Sequence, residues 1–148
     1  MRKLLLSIIV TAITATGSLA ASPEQEKAFL DAYRTAFEKQ DADALSALLL
    51  TDGAIPMAVD FYKMMMTADF GQKAEITLED LTPEDEVEVS KTMETPDGGK
   101  AVLLPKPYKK LLVKIDMSDA SGSGSSTSTA YVAEENGKLG IAMPHPAP

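Results

Sequence analysis

Tyr33 and Asp60 are the two side chains in this sequence that could move a proton inside a pocket. A tyrosine hydroxyl can donate to a developing oxyanion and a carboxylate can take a proton, and acid–base catalysis needs both held close to the reacting atoms. Asp52 and Asp69 are further carboxylates that could take the place of Asp60. Against this, Tyr33 lies on an apolar stripe, which favours packing with the hydroxyl at the rim, since a buried tyrosine OH usually finds a partner. Asp52, Asp60 and Asp69 fall on helix and loop positions where solvent exposure is the usual fate. The chain has no Cys and a single His. The missing thiols exclude Cys nucleophiles, thiolate zinc sites and iron–sulfur clusters. His145 lies between Pro144 and Pro146, away from the rigid element that a catalytic dyad or metal site needs.

The remaining polar motifs point to no cofactor and no metal. Glu79-Asp80 and Glu84-Asp85-Glu86 could attract only a hard cation such as Ca²⁺. A solvated acidic loop is the plainer reading. Counted from Asp119, the twelfth position of a calcium loop is Ala130, which has no carboxylate to offer. Gly122-Ser123-Gly124-Ser125 lacks the Lys of a phosphate loop, and no G-x-S-x-G elbow occurs there. With 14 Lys+Arg against 22 Asp+Glu, the formal net charge is −8, opposite to what nucleic acid requires. Lys106, Lys109, Lys110 and Lys114 flank Tyr108 as the one basic cluster. They read as edge-strand guards against aggregation or as a landing place for an acidic partner.

Met57, Phe61, Tyr62, Met64, Met65 and Met66 gather within ten residues. Methionine fills irregular space, so they could form the pliable wall of a lipophilic pocket. Ordinary core or a dimer face is the simpler reading. If a pocket exists, Phe29, Tyr33, Phe37, Met57, Phe61, Met65, Ile115 and Tyr131 are its expected lining, and a small apolar ligand its expected occupant.

The elements that must position these residues are legible in outline. Arg2-Lys3, the apolar run Leu4–Ile13 and Ser18-Leu19-Ala20 form the pattern of a secretory signal peptide cut after Ala20. The apolar run is too short to span a bilayer. A periplasmic or secreted location, without membrane insertion after cleavage, is therefore expected. Ser22-Pro23-Glu24-Gln25 is a capping box, and Phe29, Leu30, Tyr33, Ala36 and Phe37 recur at helical period, giving a helix from Pro23 to about Lys39. Asp41 caps a second helix expected over Ala42–Leu50. Pro56 opens a third, running to about Thr67, with Met57, Phe61, Met64 and Met65 as its expected inner face. The period then falls to two. Strands are expected at Ala74–Leu78, at Val87–Val89, over Ala101–Leu104 as an edge broken by Pro105 and Pro107, at Leu111–Met117, from Thr127, and at Leu139–Met143. Asp119–Ser126 reads as a Ser/Gly loop, Asn136-Gly137 as a tight hairpin turn, and residues 144–148 as a frayed tail. Helices first and antiparallel strands after predict one α+β domain over residues 21–143, with three N-terminal helices packed on a curved antiparallel sheet.

The run from Phe29 to Leu45, with Asp41 at its corner, resembles the first two helices of the nuclear transport factor 2-like superfamily, the SnoaL-like or cystatin-like cone folds. Asp52-Gly53 and the hairpin Glu134–Leu139 are similar to that family's acidic-Gly loop and final turn. The resemblance implies a sheet curled into a cone around a pocket. The family holds isomerase-like enzymes, cyclases, dehydratases and domains that only bind or dimerise, so fold does not fix function. In its isomerase branch, an oxyanion-donating Tyr stands where Tyr33 is, but the catalytic Asp falls on Met57, whose thioether cannot accept a proton. The reading favoured is an exported non-catalytic domain that binds a small apolar ligand or a partner. The alternatives are a SnoaL-like enzyme using Tyr33 with an acid such as Asp60, and a dimerisation or structural module, with a homodimer as its expected form.

Overall fold

The structure, a computed structural model, describes residues 21–148. The expected leader over residues 1–20 lies outside the described residues. Helix α1 spans Pro23–Glu38. Ser22 accepts from the Gln25 N–H, and the Gln25 side chain accepts from the Ser22 N–H, closing the capping box read from the sequence. Its inward stripe is Phe29, Tyr33, Ala36 and Phe37. Helix α2 is shorter than expected, Ala42–Ser46. Asp41 caps it through the Ala44 N–H, but from Leu48 onward the backbone turns to the sheet instead. The Leu48 carbonyl accepts from the Ile141 N–H at 2.8 Å, and the Leu50 N–H donates to the Ile141 carbonyl at 3.0 Å. That exchange forms a parallel bridge between Leu49 and Ile141 and leaves Leu45, Leu49 and Leu50 buried. Helix α3 spans Pro56–Thr67 as expected, and the Ile55 N–H at its start donates to Pro144 at 2.8 Å.

The strands are β1 Ala74–Asp80, β2 Met93–Glu94, β3 Lys100–Leu104, β4 Lys109–Asp119, β5 Gly122–Glu135, β6 Lys138–Ile141 and β7 Met143–Pro146. The main sheet runs β1-β4-β5-β6 and the smaller one β2-β3-β7, with every strand pair antiparallel. This is the α+β class expected: helices at the N-terminal end, antiparallel sheets after. Alternation decides the faces. Leu111, Val113 and Ile115 of β4 and Ile76 of β1 join the buried core with α1, while Lys110, Leu112 and Lys114 point the other way. Arg34 ties α1 to the sheet edge by donating to the Ile76 carbonyl from Nε at 3.1 Å and Nη2 at 2.6 Å.

Four expectations are corrected here. Residues 83–89 are helix α4, Pro83–Val89, not a strand. Thr82 caps the Asp85 N–H, Asp85 returns to the Thr82 N–H, and Pro83 occupies the first turn, so local capping outweighs the alternation of Val87 and Val89. Strand β3 is central in its sheet, between β2 and β7, because the chain end returns to pair with it. Residues 144–146 are thus no frayed tail: Val102 faces His145, and the Ala147 N–H donates to Lys100 at 2.9 Å. Finally, Gly122–Ser126 is strand, paired residue for residue with Ile115–Asp119, so β4 and β5 project as a ribbon beyond the end of β1 at Ala74. The Asn136-Gly137 turn has positive φ at both residues, 52° and 76°, as its sequence requires.

Candidate functional site

Tyr33 stands in the core. It is 4% exposed, and Phe29, Phe37, Leu111 and Ile115 in the same cluster are equally buried. These side chains fill the space between α1 and β4 where the cone pocket was expected. Burial, reinforced by the Asp69 carboxylate, pushes the Tyr33 phenol up to about 12. It stays protonated at neutral pH. The acid felt by Tyr33 is therefore Asp69, which is partly buried, and Asp60 lies exposed on α3. Of the three carboxylates weighed from the sequence, it is Asp69 and not Asp60 that acts on Tyr33.

Of the expected pocket lining, Phe29, Tyr33, Phe37 and Ile115 meet in this core. Tyr131 does not join them. It pairs with Lys110 across β4 and β5, on the face that α4 covers, and burial with the nearby Asp85 carboxylate raises its phenol. Met57, Phe61 and Met65 do not join either. The expected inner face of α3 is in fact its outer one: Met57, Phe61, Met64 and Met65 are 54%, 53%, 59% and 51% exposed. Val59, Tyr62 and Met66 pack on the core instead. The helix is apolar on both sides, so its periodicity alone could not choose between them. The result is a ridge of large apolar side chains on one side of one helix, at i, i+4, i+7 and i+8.

A groove of about 1200 Å³ lies between α4, the Pro105–Tyr108 segment and the β5–β6 turn. Leu81, Val87, Pro105 and Pro107 supply apolar wall, with Lys106 and Glu134 at the polar margins. Sequence reasoning missed it because it took residues 87–89 for strand. At its inner end the Tyr108 hydroxyl donates to Glu26 at 3.4 Å, and burial next to that carboxylate raises its pKa.

Three lysines of the basic cluster are paired with acids, while Lys106 is exposed. Lys109 sits between Asp80 at 2.8 Å and Glu26 at 3.4 Å. Lys110 meets Asp85 at 2.7 Å, and Lys114 stands 4.0 Å from Asp116. The acidic runs Glu79-Asp80 and Glu84-Asp85-Glu86 lend Asp80 and Asp85 to these pairs. Among the described residues, no three His, Asp or Glu side chains converge as metal ligands. His145, on β7, has a buried Nε2 without a hydrogen-bond partner. A side chain at Gly53 would come within 3.3 Å of its ring.

No protein-family model matches this sequence, and no curated protein does. Solved structures that it matches include an NTF-2 like protein of unknown function from Shewanella oneidensis MR-1, at 12% identity and TM-score 0.43, covering 82% of this chain and 95% of that one. Another is Rv3472, a function-unknown protein from Mycobacterium tuberculosis, at 13% identity and TM-score 0.39, covering 84% and 69%. A third is the helical cell shape determining protein Pgp2 from Campylobacter jejuni, at 11% identity and TM-score 0.42, covering 80% of this chain and 38% of that one. The α+β architecture itself is read from the element order and strand register above.

Proposed function

We propose that this chain is an exported, non-catalytic interaction domain that pairs with a second copy of itself through α3. The observation that carries the reading is the exposed ridge of Met57, Phe61, Met64 and Met65. Large apolar side chains aligned on one helix mark a contact surface more often than scattered ones do. Met57, Phe61, Met64 and exposed Ala68 follow a four-three-four spacing, which is the seam one helix presents to another like it. A two-fold contact requires a self-complementary patch, and such a seam is one. Charge supports the same occupant. The chain carries −8 overall, but α3 carries one Asp and one Lys, so two copies meet where neither repels the other. Export rests on the leader pattern in residues 1–20. Sedimentation of the purified chain tests the pairing. A monomer–dimer equilibrium at micromolar concentration that Phe61→Lys abolishes agrees with it, and a wild-type monomer at hundreds of micromolar sinks it.

A second reading has its own observation, the groove beside α4. At about 1200 Å³ it is wider than the roughly 300–1,000 Å³ of most ligand sites, but its apolar walls with polar margins suit a small amphiphile. Native mass spectrometry of gently purified protein would then show a retained mass lost on denaturation. A clean chain mass argues for the α3 reading alone.

A further inference from the structure

We infer that the open edge of β5 receives an extended polypeptide segment of another protein, with basic residues at its ends, as an added strand. β5 pairs with β4 from Gly122 to Val132, but with β6 only from Val132 to Glu135. The last backbone group held on the β6 side is the Tyr131 carbonyl, which accepts from the Ala142 N–H at 2.8 Å. From Gly122 to Ala130 no strand among the described residues lies on that side, and Gly122–Thr129 is exposed throughout. In an antiparallel ladder every second residue turns its N–H and C=O away from its partner. The edge is therefore a row of free backbone donors and acceptors roughly 30 Å long, at about 3.3 Å per residue.

Such edges are normally guarded by charge, proline, a bulge or a covering element. Edge strand β1 of the same sheet carries Glu75, Glu79 and Asp80. Along β5 the guard is missing: Ala120–Ala133 contains no charged residue and no proline, in a chain where 24% of residues are charged. Its outer side chains are Ser, Thr and Gly, which bury little, so recognition runs through main-chain hydrogen bonds, as in strand addition.

The ends of the edge choose the occupant. Asp119 stands at one end, its carboxylate held ionised by the hydroxyl and N–H of Ser121. Glu134 and Glu135 stand at the other. These acids flank the open stretch, three residues before Gly122 and four and five after Ala130, so an acidic occupant is repelled at both ends. A segment ending in Lys or Arg meets both acids favourably. This surface is separate from α3, so it stands whether or not the chain dimerises there.

Hydrogen exchange of the full chain tests it with two synthetic peptides as probes, Lys-Lys-Thr-Val-Thr-Val-Thr-Lys-Lys and the same core with Glu at both ends. At ten times its Kd, the basic-ended peptide should slow exchange within residues 122–130 by about tenfold. The acidic-ended peptide should not. Ser126→Lys, an exposed substitution that restores a guard, should remove the protection, and Ser126→Pro should do the same if far-UV circular dichroism shows its ribbon intact. Three results overturn the inference: no protection by either peptide, equal protection by both, or protection without peptide that grows with protein concentration. The last would mean that a second copy takes the edge.

Discussion

The ammonium of Lys110 meets the carboxylate of Asp85 at 2.7 Å, with both side chains less than a fifth exposed. The same carboxylate oxygen accepts from the Thr82 N–H and hydroxyl, so one atom caps α4 and fastens it to the outer face of β4. These donors pull the Asp85 pKa from 3.8 to about 2, with Lys110 the largest cause. A depressed carboxylate contributes stability that is complete above its unfolded pKa and is lost as pH falls through the folded one. Amides of α4 should therefore lose exchange protection between about pH 4 and pH 2, ahead of those in α1. Asp85→Asn should flatten that acid dependence and lower Tm at neutral pH. An α4 that opens together with the core over this range would contradict the assignment.

Tyr33 is a packing residue. Tyr33→Phe keeps the ring in place and should change stability by no more than about 1 kcal/mol, the net worth of a typical hydrogen bond. Tyr33→Ala leaves a cavity between α1 and β4 and should cost about 3–5 kcal/mol. Urea denaturation of both variants separates the two effects. A Tyr33→Phe protein as damaged as Tyr33→Ala would show that the hydroxyl matters more than the ring.

Gly140 is required by a close approach and not by a turn. A Cβ there would lie 2.6 Å from Leu50 Cδ2 and 2.8 Å from the Leu48 carbonyl. The carbonyl is held by its bond to Ile141 and cannot step aside freely. Gly140→Ala should destabilise by about 1–3 kcal/mol through overpacking. A neutral effect in thermal melts would show that the Leu48–Leu50 segment yields.

Met64 is 59% exposed, so Met64→Lys should leave the unfolding free energy of the monomer within about 0.5 kcal/mol of wild type. Its effect should appear in association alone. Chemical denaturation at low protein concentration, beside sedimentation at high concentration, reads the two separately.

What could be read in the sequence was local. Ser22 with Gln25, Asp41, Pro56 and Asn136-Gly137 each specify a cap or turn within a few residues, and each stands where expected. The box Thr82–Asp85 is equally local, but the alternation of Val87 and Val89 is a competing strand signal. The early end of α2 was not legible, because it depends on Ile141, which lies far along the chain and takes the Leu48 and Leu50 backbone groups. The site was read least well. The sequence cannot assign Met57, Phe61 and Met65 to a side, because α3 has apolar residues on two faces and only tertiary packing selects Val59, Tyr62 and Met66 for the inside.

The closing strands reach back to the opening ones. Ile141 clasps Leu48 and Leu50, Pro144 holds the N–H of Ile55, and Met143 and Ile141 are wholly enclosed in the core formed by α1. Contacts between residues so far apart along the chain are the slow ones to form, because the intervening loop must close first. A chain delivered from its N-terminus can raise α1 and α3 early, yet has nothing to seal them until residues 139–146 arrive. Closure of the core thus waits on residues 139–146, however early α1 and α3 form.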